Sequence, residues 1–472
     1  MTSTASDTGT VWPSASAAQM LLAIEDFWRW SGLAAPVLAT THACAAEVSR
    51  VAGQRYLELL RFARNRSRFY AQHFRYLPED APLQSLPVVG RHELMRHFDD
   101  WVTDPALRRS DLEDFVADPS RRGEAYLGRY TVWTSSGTTG VPGIYVSDPA
   151  ALATYEALLT LRLSGECAAD LLWRSLLGGG RLAMIAALNG HFAGAVSWER
   201  MCRLHPWLSL RSRAFSVMDP IDGLVAALND WQPALLSSYP SILSMLADEF
   251  EAGRLRIRPS LLWSGGEELA PAEAHRLRAV FGCQVFEEYG ASECMNMAFS
   301  CSEGWLHLNA DWVILEPVDE HNHPVPAGEP SANVLLTNLS NHVQPLIRYQ
   351  LGDSVTLLSG RCPCGCPLPR LRVEGRHDDV LSLRDDRGRM VRLAPIAIES
   401  AIEECGGLHH FQLIQTRIDT LDLRLTPQQG ETRTRAWVRA KAGLQQFLAT
   451  HGASSTRLRL DPRAPQGHPS SG

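Results

Sequence analysis

Seven consecutive small residues, Thr134-Ser135-Ser136-Gly137-Thr138-Thr139-Gly140, are the first place where this sequence offers chemistry. Glycines let backbone N–H groups converge into an anion-holding concavity, and the neighbouring hydroxyls add donors. The run is not a P-loop, because GxxxxGK[ST] requires a lysine. Taken alone it suits a solvated turn equally well. Tyr289-Gly290-Ala291-Ser292-Glu293 follows Cys283-Gln284-Val285-Phe286-Glu287-Glu288. Here a tyrosine face can stack a base, glycine permits a bend and a carboxylate can hold Mg²⁺. Its plain alternative is a strand-end turn with a solvated glutamate. In Arg348-Tyr349-Gln350-Leu351-Gly352-Asp353 the aspartate can accept hydrogen bonds from two vicinal hydroxyls, although Gly-Asp is also a common turn. Glu374-Gly375-Arg376-His377-Asp378-Asp379 offers an arginine suited to phosphate or ribose, beside aspartates suited to a hinge or to plain solvation.

A second kind of chemistry is soft-metal binding. Cys301 and His307 stand as C-x5-H, and Cys362-Pro-Cys364-Gly-Cys366 supplies two or three further thiols. Three Cys and one His match a closed tetrahedral structural zinc site, and a Pro/Gly turn can aim two sulfurs at one ion. We take Cys301, His307, Cys362 and Cys364 as the set, with Cys366 as the substitute. Buried unligated thiols and a redox role are the alternatives.

These residues need elements to position them. The chain is helical in pattern from Gln19 to about Arg75. Thr131–Thr134 reads as a short strand running into the hydroxyl loop, and residues 181–188 as a buried strand ending at Asn189-Gly190. Pro240 opens a helix that runs to Gly253; Leu261–Ser264 is a strand; Pro271 opens a helix that stops at Gly282. Residues 283–293 read as strand into loop. Strand–helix alternation without a repeat period gives an α/β fold. The texture changes near residue 376, giving an N-terminal unit 1–375 and a smaller α+β unit 376–472. The latter holds an Asp385–Gly388 turn, an amphipathic helix near Pro395–Cys405 and an arginine-rich tail.

Composition narrows the function classes. The 472 residues carry 45 basic and 52 acidic side chains, a formal charge of −7, and every basic residue except Lys441 is arginine. A net-acidic chain is poorly suited to nucleic acid, which demands a basic face. No apolar run approaches the ~18 residues of a membrane span. Residues 1–19 lack the basic and apolar regions of a secretory leader, so the cytoplasm is the expected compartment.

The series SSGTTGVPG, SYPSILSMLADE, SGGEEL, EEYGASE, RYQLGD and VEGRHDD, in that order, resembles the AMP-forming adenylate ligase superfamily and within it the phenylacetate–coenzyme A ligase branch. The resemblance covers about 130 to 400. It implies a large N-terminal α/β domain and a small mobile C-terminal α+β domain. It implies that Ser135, Ser136, Gly137, Thr138, Thr139 and Gly140 hold ATP phosphates, and that Gly265, Gly266 and Glu267 line the adenine pocket. Tyr289 would stack the adenine, with Glu288, Gly290 and Ser292 in the same nucleotide-facing stretch. Glu293 would ligate Mg²⁺, Asp353 the ribose, Arg376 the nucleotide, and Asp378 would lie near the hinge. The partners implied are a small carboxylic acid and either coenzyme A or an acyl carrier protein, with oligomeric state open and a dimer among the options.

His191, Phe192, Trp133, Ser238, Tyr239 and Met295 flank these motifs as acyl-pocket candidates; such a wall favours a flat aromatic acid. His191 is placed to orient the carboxylate, the alternative being a core histidine. The arginines within 361–392 and 433–459 suit an acidic carrier helix or coenzyme A phosphates, or a solvated face. The sequence departs from the superfamily at Gly143, where many members carry lysine, and at Ser292, where threonine is commoner. It also has Ser470-Ser471-Gly472 where members carry a late lysine. An arginine such as Arg463 is one substitute. A thiol ligase, an amide-forming ligase and a non-catalytic nucleotide-binding scaffold therefore all remain open.

Overall fold

The protein is described by a computed structural model over residues 17–135, 143–162, 180–374, 381–406, 408, 411–427 and 430–465. A nine-stranded sheet forms its centre, in the order β13-β14-β9-β8-β7-β6-β5-β3-β4. Four strands, β3 (Leu182–Ala186), β4 (Ser212–Ser216), β5 (Leu235–Ser238) and β6 (Leu261–Ser264), run parallel to one another and to the first half of β7 (Gln284–Ala291). β3 is a near-continuous apolar run, Leu-Ala-Met-Ile-Ala, as a strand covered on both faces requires.

Beyond β7 the sheet turns antiparallel through β8 (Cys294–Ser300), β9 (Leu306–Leu308), β14 (Arg370–Val373) and β13 (Val355–Leu358). A hairpin, β1 (Thr131–Thr134) with β2 (Ile144–Ser147), and a three-stranded sheet of β10 (Val313–Val318), β11 (Asn333–Asn338) and β12 (Tyr349–Gln350) complete this part.

The expected helix starts and stops follow local chemistry. Pro240 and Pro271 occupy first helical positions, where a missing N–H costs nothing, in helices Pro240–Glu251 and Pro271–Phe281. Gly282 ends the second with φ +61°, the left-handed cap that glycine takes without strain. Residues 283–293 differ from expectation. The strand continues to Ala291, turns through Ser292 and Glu293, and pairs back as β8, with Ala291 opposite Cys294. Pairing with β8 supplies hydrogen bonds that a loop would have left to solvent.

After residue 380 the chain builds two small sheets. β15 (Leu381–Arg384) and β16 (Met390–Leu393) flank the expected Asp385–Gly388 turn; β17 (Phe411–Arg417), β18 (Thr420–Leu425) and β19 (Arg457–Leu460) form the other. The arginine-rich tail is an ordered helix, Arg433–Thr450, crossing over to the parallel strand β19. Leu393, Ile398, Leu423 and Leu444 share one continuous apolar core with Leu224, Ile242 and Leu243 of the larger sheet's helices. Arg392 pairs with Asp248 at its edge. The expected boundary at 376 lies outside the described residues. No helix among the described residues is long and apolar enough to cross a membrane.

One fully buried ion pair ties the amino-terminal helix to this body. Arg162, at the end of helix Pro149–Arg162, reaches Asp311 through Nη1 (2.8 Å) and Nη2 (2.9 Å). Thr40 Oγ1 donates to the same carboxylate at 2.7 Å, and Asn309 Oδ1 accepts from Arg162 Nη1 at 2.7 Å. Removing one partner of such a pair leaves an uncompensated buried charge. Asp311→Ala is therefore expected to cost about 3–5 kcal/mol in urea unfolding; a loss below about 1 kcal/mol would place the pair among weak surface bridges.

Candidate active site

The central parallel strands end side by side, and the segments that follow them bring the motif residues together. β1 ends at Thr134, and Ser135 closes the base of the hydroxyl loop twice. Its N–H donates to the Gly143 carbonyl at 3.0 Å, and its Oγ accepts from the Gly143 N–H at 3.0 Å. Ser136, Gly137, Thr138, Thr139 and Gly140 lie outside the described residues, as do Arg376 and Asp378.

The two-residue turn between β7 and β8 projects Glu293 into the protein. Glu293 Oε1 accepts from Arg91 Nη2 at 2.8 Å, Tyr145 Oη at 2.7 Å and Tyr349 Oη at 2.9 Å. Glu293 is buried at 6% exposure, and its second oxygen makes no hydrogen bond among the described residues. Trp133 Nε1 donates to the Ser292 carbonyl at 2.7 Å and Asn338 Nδ2 to the Glu293 carbonyl at 3.3 Å, fixing the turn itself. Burial and the Glu293 charge hold the Tyr145 hydroxyl well above its usual range, so it stays a donor. The Tyr145 ring also lies 2.5 Å from where a Cβ on Gly143 would stand, so the loop base needs glycine there. That gives a steric reason for the Gly143 departure.

Sequence reasoning missed Arg91 and Tyr145 altogether. Arg91 opens a short helix, Arg91–Arg96, some two hundred residues before its partner, and nothing in its neighbourhood signals a role. Tyr349 sits inside the Arg348–Asp353 motif, in which the sequence singles out only Asp353. Arg348 instead serves the frame: its Nε meets Glu316 at 3.1 Å and its Nη1 the Leu86 carbonyl at 2.6 Å.

The other motif residues fall into pairs. Tyr289 Oη donates to Asp353 Oδ2 at 2.7 Å, joining the stacking candidate to the ribose candidate. Glu267 receives the Ser241 N–H and Oγ–H, each at 3.0 Å, and so satisfies the first turn of helix Pro240–Glu251. Gly265 and Gly266 precede it, and Gly266 has φ +79°. Gly290 allows the close approach of Asn296 N, 3.1 Å from a would-be Cβ. Glu288 accepts from Trp263 Nε1 at 3.1 Å. Burial, against that one hydrogen bond, pushes the Glu288 carboxyl up to about 7.

His191 is buried in the core. It is 2% exposed, with its ring 5.8 Å from that of Phe115, and its carbonyl accepts from Thr134 N–H at 2.7 Å. Burial lowers its pKa, so the imidazole is neutral. Trp133 is 1% exposed in the core, while Phe192, Tyr239 and Met295 are only partly covered. Arg463 is engaged by Asp461, with Nη2 at 2.7 Å from Oδ2, and the Lys441 ammonium stands 5.8 Å over Trp437.

A second centre occupies the antiparallel half. The ligand atoms of Cys301, His307, Cys362 and Cys364 all lie within 4.8 Å of one another. Cys301 and Cys362 sulfurs are 3.8 Å apart, and Cys364 Sγ is 3.4 Å from His307 Nε2. A tetrahedron with metal–sulfur distances of about 2.3 Å has an edge of about 3.8 Å, so the set fits zinc. His307 Nδ1–H donates to the Leu368 carbonyl at 2.9 Å, which turns Nε2 toward the sulfurs. The Cys366 N–H points at Cys364 Sγ at 3.4 Å, while its side chain packs beside Leu368 and Phe286.

Residues 129–336 match the AMP-binding enzyme family. The chain is similar to the phenylacetate–coenzyme A ligase of Thermus thermophilus, at 29% identity over 212 residues, 42% of this chain and 45% of that protein. It is similar to that of Aromatoleum evansii at 27% over 286 residues, 57% and 59% of the two chains. The chain thus spans about half the length of these curated relatives. A solved 2-hydroxyisobutyryl-CoA ligase shares the fold, with TM-score 0.54 at 22% identity over 91% of this chain and 89% of that one. With residues 129–336, a little under half of the chain, matching that family, the chain is similar to the AMP-forming adenylate ligase superfamily and to its phenylacetate–coenzyme A ligase branch.

The raised Glu288 carboxyl has a sign that can be checked. Folding binds its proton more tightly than the unfolded chain does, so it destabilises the fold increasingly as pH rises from about 4.5 through about 7. Glu288→Gln keeps the Trp263 hydrogen bond and removes the charge. It should raise stability at pH 8, by on the order of 1–3 kcal/mol, with the gain shrinking towards pH 4.5. Urea titrations at the two ends of that range check it, and a gain independent of pH would contradict it.

Proposed function

We propose that this protein activates a small carboxylic acid with ATP as an acyl-adenylate and transfers the acyl group to a thiol, that of coenzyme A or of an acyl carrier protein. In the first step an acid oxygen attacks the α-phosphorus and pyrophosphate leaves. In the second, the thiol attacks the acyl carbon and AMP leaves. Such chemistry needs positioning and charge stabilisation more than proton transfer. The observation that carries the reading is the Tyr289–Asp353 pair, one hydrogen bond long, set beside the turn that holds Glu293. An adenosine has its ring and its ribose to offer to those two groups.

In this reading Ser135 to Gly140 hold the phosphates, Arg376 contacts the nucleotide, and residues 376–472 move as a small unit about Asp378. Glu293, with Oε1 held by Arg91 and two tyrosines, would hold Mg²⁺. The ion would offset charge on the departing pyrophosphate. The mostly aromatic flank, Phe192 and Tyr239 above all, supports an aromatic acid. A non-catalytic nucleotide-binding scaffold is the second reading. It is favoured by Arg463 being committed to Asp461 and the one lysine being committed to Trp437.

ATP–pyrophosphate exchange over a panel of aryl and aliphatic acids separates the two readings, since a scaffold binds ATP without exchange. Glu293→Gln keeps the hydrogen bonds of Arg91 and both tyrosines but removes the charge. It and Asp353→Ala should each lower exchange at least about a hundredfold. Full activity in either would break the assignment.

We also propose that Cys301, His307, Cys362 and Cys364 bind a structural zinc ion. Purified protein should carry about one equivalent, and Cys301→Ser should lower both zinc content and thermal midpoint. Metal-free protein of undiminished stability would end the proposal.

A further inference from the structure

In an open α/β sheet, ligands enter the crevice outside the carboxyl ends of the strands where the strand order reverses. That reversal occurs at β3, which has β4 on one side and β5 on the other. The crevice is therefore bounded by Ala186 at the end of β3 and Ala187 after it, Tyr239 after β5, and Gly265 and Gly266 after β6. One side chain spans all three strand ends. The Tyr239 ring lies 2.9 Å from where a Cβ on Gly266 would stand, and its hydroxyl is 3.5 Å from the Ala187 N–H. Gly266 is also at positive φ, so two independent constraints keep that position glycine and leave room for the ring against it. Tyr239 packs on Ile242 and Leu243 of the core below and is only partly buried, so part of it still faces the crevice. Ser238, one residue earlier, is tied down by its hydroxyl donating to the Ile185 carbonyl at 3.0 Å. The phenol therefore stands on a fixed strand end and has little freedom to swing aside.

We propose that Tyr239 is the floor of the acid crevice and the residue that sets its depth, admitting compact acids of about one ring and turning away acids with longer chains. This rests on the acid-activating reading above. The hydroxyl contributes little to depth, whereas the ring's volume contributes nearly all of it. Each methylene that must displace packed atoms costs a ligand about 10–200-fold in discrimination, so the limit is expected to be steep.

The test uses the full chain and N-acylsulfamoyl adenosines, which mimic the acyl-adenylate without reacting. Acetyl, benzoyl, phenylacetyl, phenylbutanoyl and octanoyl members are titrated by calorimetry against wild type, Tyr239→Phe, Tyr239→Leu and Tyr239→Ala. Wild type and Tyr239→Phe should bind the first three and lose at least about tenfold in affinity at the last two. Tyr239→Leu and Tyr239→Ala should recover at least about tenfold for the long members relative to acetyl, whose binding also certifies an intact nucleotide site. The leucine variant keeps most of the packing if the alanine variant fails to fold. An unchanged long-to-short ratio in either folded variant overturns the proposal. So does strong wild-type binding of the octanoyl member. Exchange assays with the free acids run beside the titrations. No exchange with any acid, together with the expected binding pattern, would overturn the catalytic reading while leaving the crevice assignment standing. Failure of every analogue to bind would overturn both.

Discussion

A carboxylate buried at the turn between β7 and β8 must be compensated, and the shape of the site follows from how that is done. Glu293 draws Arg91 from the amino-terminal helices, Tyr145 from the hairpin after the hydroxyl loop, and Tyr349 from the strand before Asp353. A charge taken out of water costs several kcal/mol unless paired and hydrogen-bonded, so none of these three segments can drift without penalty. The same tyrosine that answers Glu293 presses on Gly143 and so fixes the base of the phosphate-loop candidate. Charge compensation and loop placement are here one constraint.

The strand that delivers Glu293 is also where the sheet changes character. β7 pairs parallel with β6 over Gln284–Glu287 and antiparallel with β8 from Glu288. Its first half belongs to the parallel part of the sheet, and its second half belongs to a hairpin leading to the cysteine cluster. Glu288, Tyr289 and Gly290 sit at that change. The carboxyl of Glu288 is raised by burial, which outweighs the hydrogen bond from Trp263. Cys301, which follows β8, and Glu293, at the β7–β8 turn, are thus placed by one strand pair, with a register shift between Tyr289 and Ala291.

The smaller sheets at the carboxyl-terminal end are joined to the body by an apolar surface rather than by a linker alone. Leu393 and Ile398 merge into the core of helices Ile221–Trp231 and Pro240–Glu251, with the Arg392–Asp248 pair at the rim. Those helices are the ones whose amino ends lie beside the strand-end crevice. Glu267 satisfies the first turn of the second helix from the loop that also carries Gly266. The carboxyl-terminal sheets and the strand-end crevice are therefore both in contact with the same two helices.

Much of this was written in the chain. The order of the glycine, hydroxyl, tyrosine and acidic motifs pointed to the superfamily. Pro240, Pro271 and Gly282 marked helix ends, because proline and glycine act through φ and the missing donor, which are local quantities. The spacing Cys301, His307, Cys362, Cys364 named four residues whose ligand atoms do meet. What the sequence could not hold was anything set by distance along the chain. The partners of Glu293 are 202, 148 and 56 residues away, and those of Arg162 up to 149. No local pattern encodes such a pairing. It is chosen by the requirement that every buried charge find a counter-charge once the sheet has closed. For the same reason Tyr239 read as one aromatic among several. Only the meeting of three strand ends made it the floor of a crevice.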